Sequence, residues 1–400
     1  MGATKMQGRL DLHELEYKLS DYPSRFLSPE QAIRFLVFRD GDDGKIKAKD
    51  GLTGRSYVGT DPKTVMQYAV DHLTAGRNYR EKIMILGDYT IQTPINLSSY
   101  TILEVHGRLK LANGANQPII AIPGGTVENP KVHIDILGGV WDGNKANQTA
   151  EHYLIDATGI VKNFRVNECH FINPYSHAVH LAPDGSSLID VSRNRAESTL
   201  DIGGGLVFAD MIYDMFVQEN YCSRLGICVR PSRVRRGVFS RNIFQDIGGG
   251  AFTFIGGGGY DVVCEANVIS GTLLEAIEVV GMSRMTIANN EAYNAGTEFL
   301  HSWGMCDSLV ANNLAYNCGS NPPDGETKTA VIFLGLYGTP ALRNLIITNK
   351  IYSDKDPLPQ YGVYEFPTGD YNQIRSNWIE GYSIEKIHLE GVHSTEKYND

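Results

Sequence analysis

Asn267-Val268-Ile269-Ser270 is followed 23 residues later by Asn290-Glu291-Ala292-Tyr293, and after another 23 by Asn313-Leu314-Ala315-Tyr316. Each stretch places an asparagine directly before a short strand-like segment. Asparagines in this setting recur every 22 to 28 residues, with one interval of 36, at Asn167, Asn194, Asn220, Asn242, Asn267, Asn290, Asn313, Asn349 and Asn377. A repeat of this length is typical of a solenoid, in which each repeat buries its apolar face against its neighbours. Because the repeats consist of strand patterns and glycine turns, they predict a solenoid of β-coils.

Composition argues against several kinds of partner. The chain has 400 residues and a formal net charge of −10, which argues against nucleic acid. No apolar run approaches the ~20 residues of a membrane-spanning helix, so we expect no membrane partner. The opening residues, Met1-Gly2-Ala3-Thr4-Lys5-Met6, lead directly into polar sequence, and we expect no signal peptide. A secreted mature form would look the same, so the compartment is undetermined.

The N-terminal part of the chain predicts a cap for the solenoid. Asp61-Pro62 is a favourable helix start, and apolar residues then recur at helical spacing through Leu73. One amphipathic helix of this length could cover the open end of a β-coil stack. We therefore divide the chain into an N-terminal cap or extension (1–60), a β-solenoid domain (61–391) and a C-terminal tail (392–400).

This arrangement resembles the right-handed parallel β-helix of the pectate-lyase-like superfamily over roughly residues 60 to 390. The resemblance rests on the capping helix after Gly59-Thr60-Asp61, the turn Val140-Trp141-Asp142-Gly143-Asn144 and the asparagine-headed coils. It implies an all-β, right-handed parallel β-helix with an N-terminal helical cap. Members include polysaccharide lyases, glycoside hydrolases, sugar epimerases, pectin esterases and viral tailspikes, so the resemblance implies carbohydrate as the partner without choosing a reaction.

In eight coils, the alternation of side chains along one strand predicts which residues face the core and which face outward. These strands lie at 178–181, 206–208, 227–229, 252–254, 277–279, 300–302, 331–333 and 363–365. The residues expected to point outward are His180, Val207, Cys228, Thr253, Glu278, His301, Ile332 and Tyr364. Three residues earlier, the matching positions are His177, Gly204, Leu225, Gly250, Glu275, Glu298, Thr329 and Tyr361. Adjacent strands lie ~4.8 Å apart, so two successive coils should bring Glu275, Glu278, Glu298 and His301 together on the outer wall.

This patch is the candidate catalytic site. Carboxylates one strand spacing apart repel each other, and one of them tends to keep its proton. A protonated and an ionised carboxyl group side by side are the acid and the base or nucleophile of glycoside hydrolysis. We therefore predict a glycoside hydrolase in which Glu275 or Glu298 is the acid, Glu278 is its partner and His301 tunes them or binds hydroxyl groups. The spacing leaves retaining and inverting mechanisms open.

Other residues could line a surface groove for a polysaccharide or oligosaccharide. The candidate substrate-binding residues are His177, His180, Arg230, Asp246, Trp303 and Tyr364. Inserted segments at 320–326 and 354–360 would form walls of the groove, since loops leaving a solenoid on one side commonly do so.

Two alternatives remain open beside hydrolysis. The resemblance implies that the same acids could hold calcium in a lyase or C5 epimerase of uronic acid polymers, with Arg230 or Arg284 recruited and His301 as base. The predicted register places no lysine or arginine beside the acids, so we favour hydrolysis, for which we expect no metal or other cofactor. The second alternative is a non-catalytic, glycan-binding homotrimer of the tailspike kind. If the four residues have no catalytic function, they are exposed side chains on a solvated face or at a subunit contact.

Overall fold

The protein is an elongated stack of β-coils. The computed structural model describes residues 32–182, 184–199, 202–323, 327–335 and 339–400. Each complete coil contributes one strand to each of three long sheets, here named A, B and C, which contain 16, 12 and 12 strands. The predicted solenoid of β-coils is therefore confirmed.

Sheet A consists of β1 (Ile33–Arg39), β2 (Ile46–Asp50), β3 (Ser56–Gly59), β4 (Glu81–Leu86), β7 (Thr101–His106), β10 (Lys131–Leu137), β13 (Val161–Asn167), β16 (Ser187–Ser192), β19 (Tyr213–Gln218), β22 (Arg235–Ser240), β25 (Gly259–Glu265), β28 (Met282–Ala288), β31 (Leu309–Ala311), β34 (Leu345–Ile347), β37 (Gln373–Arg375) and β40 (Thr395–Lys397).

Sheet B consists of β5 (Tyr89–Ile91), β8 (Arg108–Leu111), β11 (Val140–Asp142), β14 (His170–Ile172), β17 (Arg195–Glu197), β20 (Tyr221–Ser223), β23 (Ile243–Gln245), β26 (Val268–Ser270), β29 (Glu291–Tyr293), β32 (Leu314–Tyr316), β35 (Lys350–Tyr352) and β38 (Trp378–Glu380).

Sheet C consists of β6 (Ile95–Asn96), β9 (Ile120–Ala121), β12 (Ile155–Ala157), β15 (His177–Leu181), β18 (Gly205–Asp210), β21 (Val229–Ser232), β24 (Phe252–Phe254), β27 (Ile277–Val280), β30 (Leu300–Trp303), β33 (Ala330–Leu334), β36 (Tyr361–Glu365) and β39 (Glu385–Leu389).

The N-terminal end is closed by a helix, as predicted. Helix α1 (Pro62–Asp71) begins after Asp61, whose carboxylate accepts the Thr64 backbone N–H at 2.9 Å. Its buried face packs against the first strands, where β1, β2 and β3 pair in antiparallel order. β1 then pairs in parallel with β4, so this end continues sheet A. Among the described residues, no helix is long and apolar enough to cross a membrane.

The repeated asparagines form a buried ladder between sheets A and B. From Asn194 onward, each side-chain N–H donates to the side-chain oxygen of the asparagine in the next coil, at 2.9–3.1 Å. The ladder extends to Asn399, beyond the last predicted repeat. Asn167 lies outside it, because Cys169 occupies the equivalent position and donates its backbone N–H to Asn194.

The domain boundaries remain a prediction, although the structure adds detail at both ends. Residues 1–31 lie outside the described part. At the other end, β40 pairs with β37. The segment assigned to a tail thus contributes the last strand of sheet A.

Candidate active site

Strand pairing in sheet C stacks residues that point away from the core, one above the other, in what we call the outward column. β27 and β30 pair so that Glu278 lies opposite His301, as predicted. The column runs through Asp156, His180, Phe208, Arg230, Thr253, Glu278, His301, Phe333, Tyr364 and His388.

The predicted register was wrong in three coils. Val207, Cys228 and Ile332 are buried in the core, and their places in the outward column belong to Phe208, Arg230 and Phe333. At the start of β18 the pairing is irregular: the Cys228 carbonyl accepts from two successive N–H groups, those of Leu206 at 2.8 Å and Val207 at 3.1 Å. Two consecutive residues therefore face the core before alternation begins, as in a β-bulge.

The predicted acids do meet, at a largely buried place in the outer wall that we call the recess. Ligand atoms of Glu275, Glu298 and His301 all lie within 4.8 Å of one another, and Glu278 occupies the outward column beside them. We call these four residues the carboxylate cluster. The expectation of an exposed patch was wrong, because Glu275 is 8% exposed, His301 4% and Glu298 0%.

A glycine makes room for the deepest part of the recess. Gly250 lies in the preceding coil, and a Cβ atom added there would lie 2.6 Å from Oε1 of Glu275. That separation is shorter than a van der Waals contact. The absence of a side chain at Gly250 is therefore a condition for the observed position of the Glu275 carboxyl group.

Burial changes the protonation of the cluster. It raises the pKa of Glu275 to about 7, and the negative charge of Glu278 acts in the same direction. Burial also raises the pKa of Glu278, although positive charge on His301 and Arg230 opposes that rise. Near neutral pH, Glu275 thus exchanges its proton readily.

Glu298 is fully buried, as is Glu365 elsewhere in the described part of the chain. Neither carboxylate oxygen of Glu298 has a hydrogen-bond partner among the described residues, and the nearest basic atom is Nδ1 of His301 at 3.6 Å. Buried polar atoms in native proteins are almost always paired. Both oxygens are thus available to a bound group.

The same three side chains could hold a cation. Glu275, Glu298 and His301 offer two carboxylates and an imidazole. Such a mixed nitrogen and oxygen set suits zinc-like ions, whereas calcium takes six to eight oxygen ligands. The set therefore fits calcium poorly.

Trp303 and Arg230 flank the carboxylate cluster. The Trp303 indole N–H donates to Nε2 of His301, which orients the imidazole ring. Arg230 lies two strands from Glu278 in the outward column, and its guanidinium carbon is 5.5 Å from the centre of the Phe208 ring. The predicted register gave this place in the column to Cys228 and left Arg230 in a turn, whereas the structure places Arg230 in the column, two strands from Glu278.

His177 and His180 lie further along the same face. His180 is four strand spacings from Glu278, about 19 Å at ~4.8 Å per strand, and its Nδ1 is 2.8 Å from the Asp156 carboxylate. The ring of His177 covers Gly205, and burial, followed by the charge of Arg230, lowers the pKa of His177 to about 4. His177 is therefore neutral at physiological pH.

Sequence reasoning missed Tyr153 and Asp156. The Tyr153 ring stacks on His180 with centroids 3.9 Å apart. Their coil carries Gly139 where later coils have the ladder asparagine, so it was not registered. The alternation in Ile155–Ala157 was the available signal.

Three other predicted residues lie away from the recess or are covered. Asp246 is exposed in the turn after β23, a strand of sheet B. Arg284 pairs with Asp261 at 2.6 Å on sheet A, so it is not recruited to the acids. Tyr364 has the predicted outward register, yet it is fully buried and is thus not a surface for substrate.

The inserted segments lie on one edge of sheet C. Both connect a strand of sheet B to the following strand of sheet C, between β32 and β33 and between β35 and β36. Residues 324–326 of the first segment are outside the described part. The prediction that the two loops leave on the same side is consistent with this chain order.

Comparison with known proteins identifies the fold. No protein-family model and no curated protein sequence matches the chain. Among solved structures, the A-module of the Azotobacter vinelandii mannuronan C-5 epimerase AlgE6 is 16% identical, over 85% of this chain and 94% of its own, with a TM-score of 0.55. The Dettilon tailspike protein is 14% identical, over 82% of this chain and 65% of its own, with a TM-score of 0.62. The chain is a right-handed parallel β-helix.

A third similar β-helix is a PL6 alginate lyase in complex with a trisaccharide. It is 10% identical, over 84% of this chain and 83% of its own, with a TM-score of 0.55. Identities this low show the fold alone. The roles of individual side chains in this β-helix therefore rest on their geometry.

Proposed function

We propose that this β-helix is a carbohydrate-active enzyme that hydrolyses glycosidic bonds in a groove along the outward column of sheet C. The observation that carries the proposal is the carboxylate cluster, in which three glutamates and a histidine share one recess. Perturbed titratable groups in a recess are typical of catalytic sites.

Environment separates the roles of the acids. Glu275, with its pKa raised to about 7, would donate a proton to the leaving oxygen. Glu278, beside His301 and Arg230, would act in its ionised form as base or nucleophile. His301, held by Trp303, would bind a sugar hydroxyl group.

The similar structures support carbohydrate as the substrate class. Their titles describe a mannuronan epimerase, an alginate lyase with a trisaccharide, and an E. coli bacteriophage HK620 tailspike with a pentasaccharide. These descriptions apply to those proteins, and they favour a polysaccharide partner without favouring hydrolysis.

Arg230 favours a second candidate reaction. A guanidinium two strands from Glu278 could pair with the carboxylate of a uronic acid. Proton removal next to that carboxylate, with His301 as base, would lead to elimination or epimerisation. Hydrolysis is preferred because the cluster supplies several carboxyl groups in different environments.

Substitution of the acids tests the proposal. We expect Glu275→Gln and Glu278→Gln each to lower kcat on a cleavable polysaccharide by at least about 100-fold, since acid–base catalysis contributes 10²–10⁴-fold. Glu298→Gln should also reduce activity, because it changes the deepest part of the recess. The assay would measure new reducing ends across a panel of neutral and acidic polysaccharides.

Glu380→Gln on sheet B is the matched control and should retain full activity, because Glu380 is exposed on another face. Hydrolysis yields reducing ends without ultraviolet absorbance, whereas elimination creates an absorbing C4–C5 double bond. Full activity in all three cluster variants would place the site elsewhere. Binding without cleavage, without an absorbing product and without a change in the uronic acid composition of the polymer would favour the non-catalytic, tailspike-like alternative.

A further inference from the structure

The outward face of sheet C differs on the two sides of the carboxylate cluster. On the N-terminal side, His180, Phe208 and Arg230 are partly accessible. On the C-terminal side, Phe333 and Tyr364 occupy the same column but are fully buried. The groove is therefore accessible in one direction along the solenoid and covered in the other.

An aromatic cluster outside the solenoid core causes this cover. Ala330, Phe333, Tyr361 and Tyr364 form a separate apolar cluster, against which Phe366 packs. We call it the Tyr364 cluster. The Phe333 ring lies 5.8 Å from that of Tyr364 and 5.5 Å from that of Phe366.

Lys328 lies over the Tyr364 cluster. Its ammonium group is 4.1 Å from the centre of the Tyr364 ring and 5.7 Å from that of Phe366. Lys328 also donates to the Tyr364 hydroxyl, which donates to Glu390. His388 stacks on Tyr364 with centroids 5.0 Å apart and lies 3.4 Å from Glu390. These contacts hold the cover in place.

The cover begins directly beside the recess. His301 and Phe333 are opposite each other on neighbouring strands, with ring centroids 6.4 Å apart. One strand spacing of ~4.8 Å is about the length of one sugar unit. Space beyond His301 is thus limited to about one unit.

The N-terminal side offers a stacking surface instead. His180 and Phe208 are stacked with centroids 5.2 Å apart, between Tyr153 on one side and Arg230 on the other. Aromatic faces and a guanidinium plane suit the apolar faces and hydroxyl edges of sugars. From His180 to Glu278 this surface covers four strand spacings.

We infer that the enzyme acts at chain ends: the terminal unit of a polysaccharide lies over His301 against the Tyr364 cluster, and the chain extends over Arg230, Phe208 and His180. This inference rests on the proposed function and adds an exo mode of action. Its ligand is a glycan of about four or more units with one free end in the recess.

End-labelled oligosaccharides of increasing length, from the polysaccharide that the enzyme cleaves, test the inference. Wild-type protein should release one short product of constant length from the earliest times, whatever the substrate length. Phe208→Ala should raise KM for long chains by about 3- to 10-fold, the effect of losing one ring contact. The KM difference between long and short chains should narrow accordingly.

Tyr364→Ala should open the covered side and add mid-chain products. Trp378→Ala, which removes an exposed ring on sheet B, is the control and should change neither KM nor products. Melting temperatures would verify that each variant folds. If Tyr364→Ala does not fold, the products of the wild-type protein and the KM values of Phe208→Ala still test the inference.

Mid-chain products from wild-type protein, or an unchanged KM ratio in Phe208→Ala, would overturn the inference and leave the proposed function intact. If the protein cleaves no glycan in the panel, the proposed function fails and the inference falls with it.

Discussion

At the scale of single residues, the role proposed for Glu275 predicts the pH profile of the activity. A raised pKa means that the carboxyl group keeps its proton up to about pH 7 and loses it above that value. If Glu275 is the general acid, kcat/KM should fall about tenfold per pH unit above the pKa. A pH–rate profile of the wild-type protein would show this descending limb.

Glu275→Gln provides the matching profile. Because glutamine does not titrate, the residual activity of this variant should lack the descending limb near pH 7. Persistence of the same limb would assign it to another group of the carboxylate cluster.

Gly250 allows a second test at this scale. Gly250→Ala would place a methyl group 2.6 Å from Oε1 of Glu275, so the carboxyl group must move. We expect a loss of kcat of at least about tenfold, since misplacement by about 1 Å can cost 10²-fold. Gly257→Ala is the matched control, because nothing lies within 4 Å of its added Cβ. Equal activity in the two variants would contradict a positioning role for Gly250.

At the scale of elements, the asparagine ladder stabilises neighbouring coils. The Asn267 side chain accepts from the backbone and side-chain N–H groups of Asn242, at 2.9 Å each. Asn267→Ala would leave both buried donors unpaired. The free energy of unfolding should fall by about 2–4 kcal/mol, because each unpaired buried group costs about 1–3 kcal/mol.

Urea unfolding would measure this change. Asn129→Ala is the control, since Asn129 is exposed and bonds to Thr126 through its backbone N–H and carbonyl groups, which alanine keeps. We expect its effect to stay within about 0.5 kcal/mol, as is usual for surface substitutions. Similar losses in both variants would argue against the ladder as a source of stability.

Much of the architecture was predictable from sequence because the coil repeat is local in the chain. The asparagine period indicated the coils, and alternation in β27 and β30 correctly set Glu278 opposite His301. The predicted register was wrong where two adjacent residues, such as Leu206 and Val207, are both apolar, because the alternation of apolar and polar residues cannot then show which one faces the core.

Burial in the candidate site was less predictable. Register alone placed Tyr364 on the outer face, but Lys328 and Glu390, distant in sequence, cover it. Full burial of Glu298 likewise depends on how coils and loops pack around it. Such cover is a property of three-dimensional packing, which a strand pattern does not encode.

At the scale of the whole molecule, the hydrogen bond between neighbouring ladder asparagines does not depend on how many residues the coil between them contains. Asn290 and Asn313 are 23 residues apart and bonded at 3.0 Å, while Asn313 and Asn349 are 36 residues apart and bonded at 2.9 Å. The longer interval includes the segment that carries Lys328, yet the ladder passes it unchanged.

In a solenoid of this kind, a loop between two coils can change in sequence or length without loss of the contacts that stabilise the coils. Insertions that leave successive asparagines in adjacent coils can change the loops beside sheet C while the asparagine ladder stays intact. Loops grafted at the same sites should therefore leave the asparagine ladder intact.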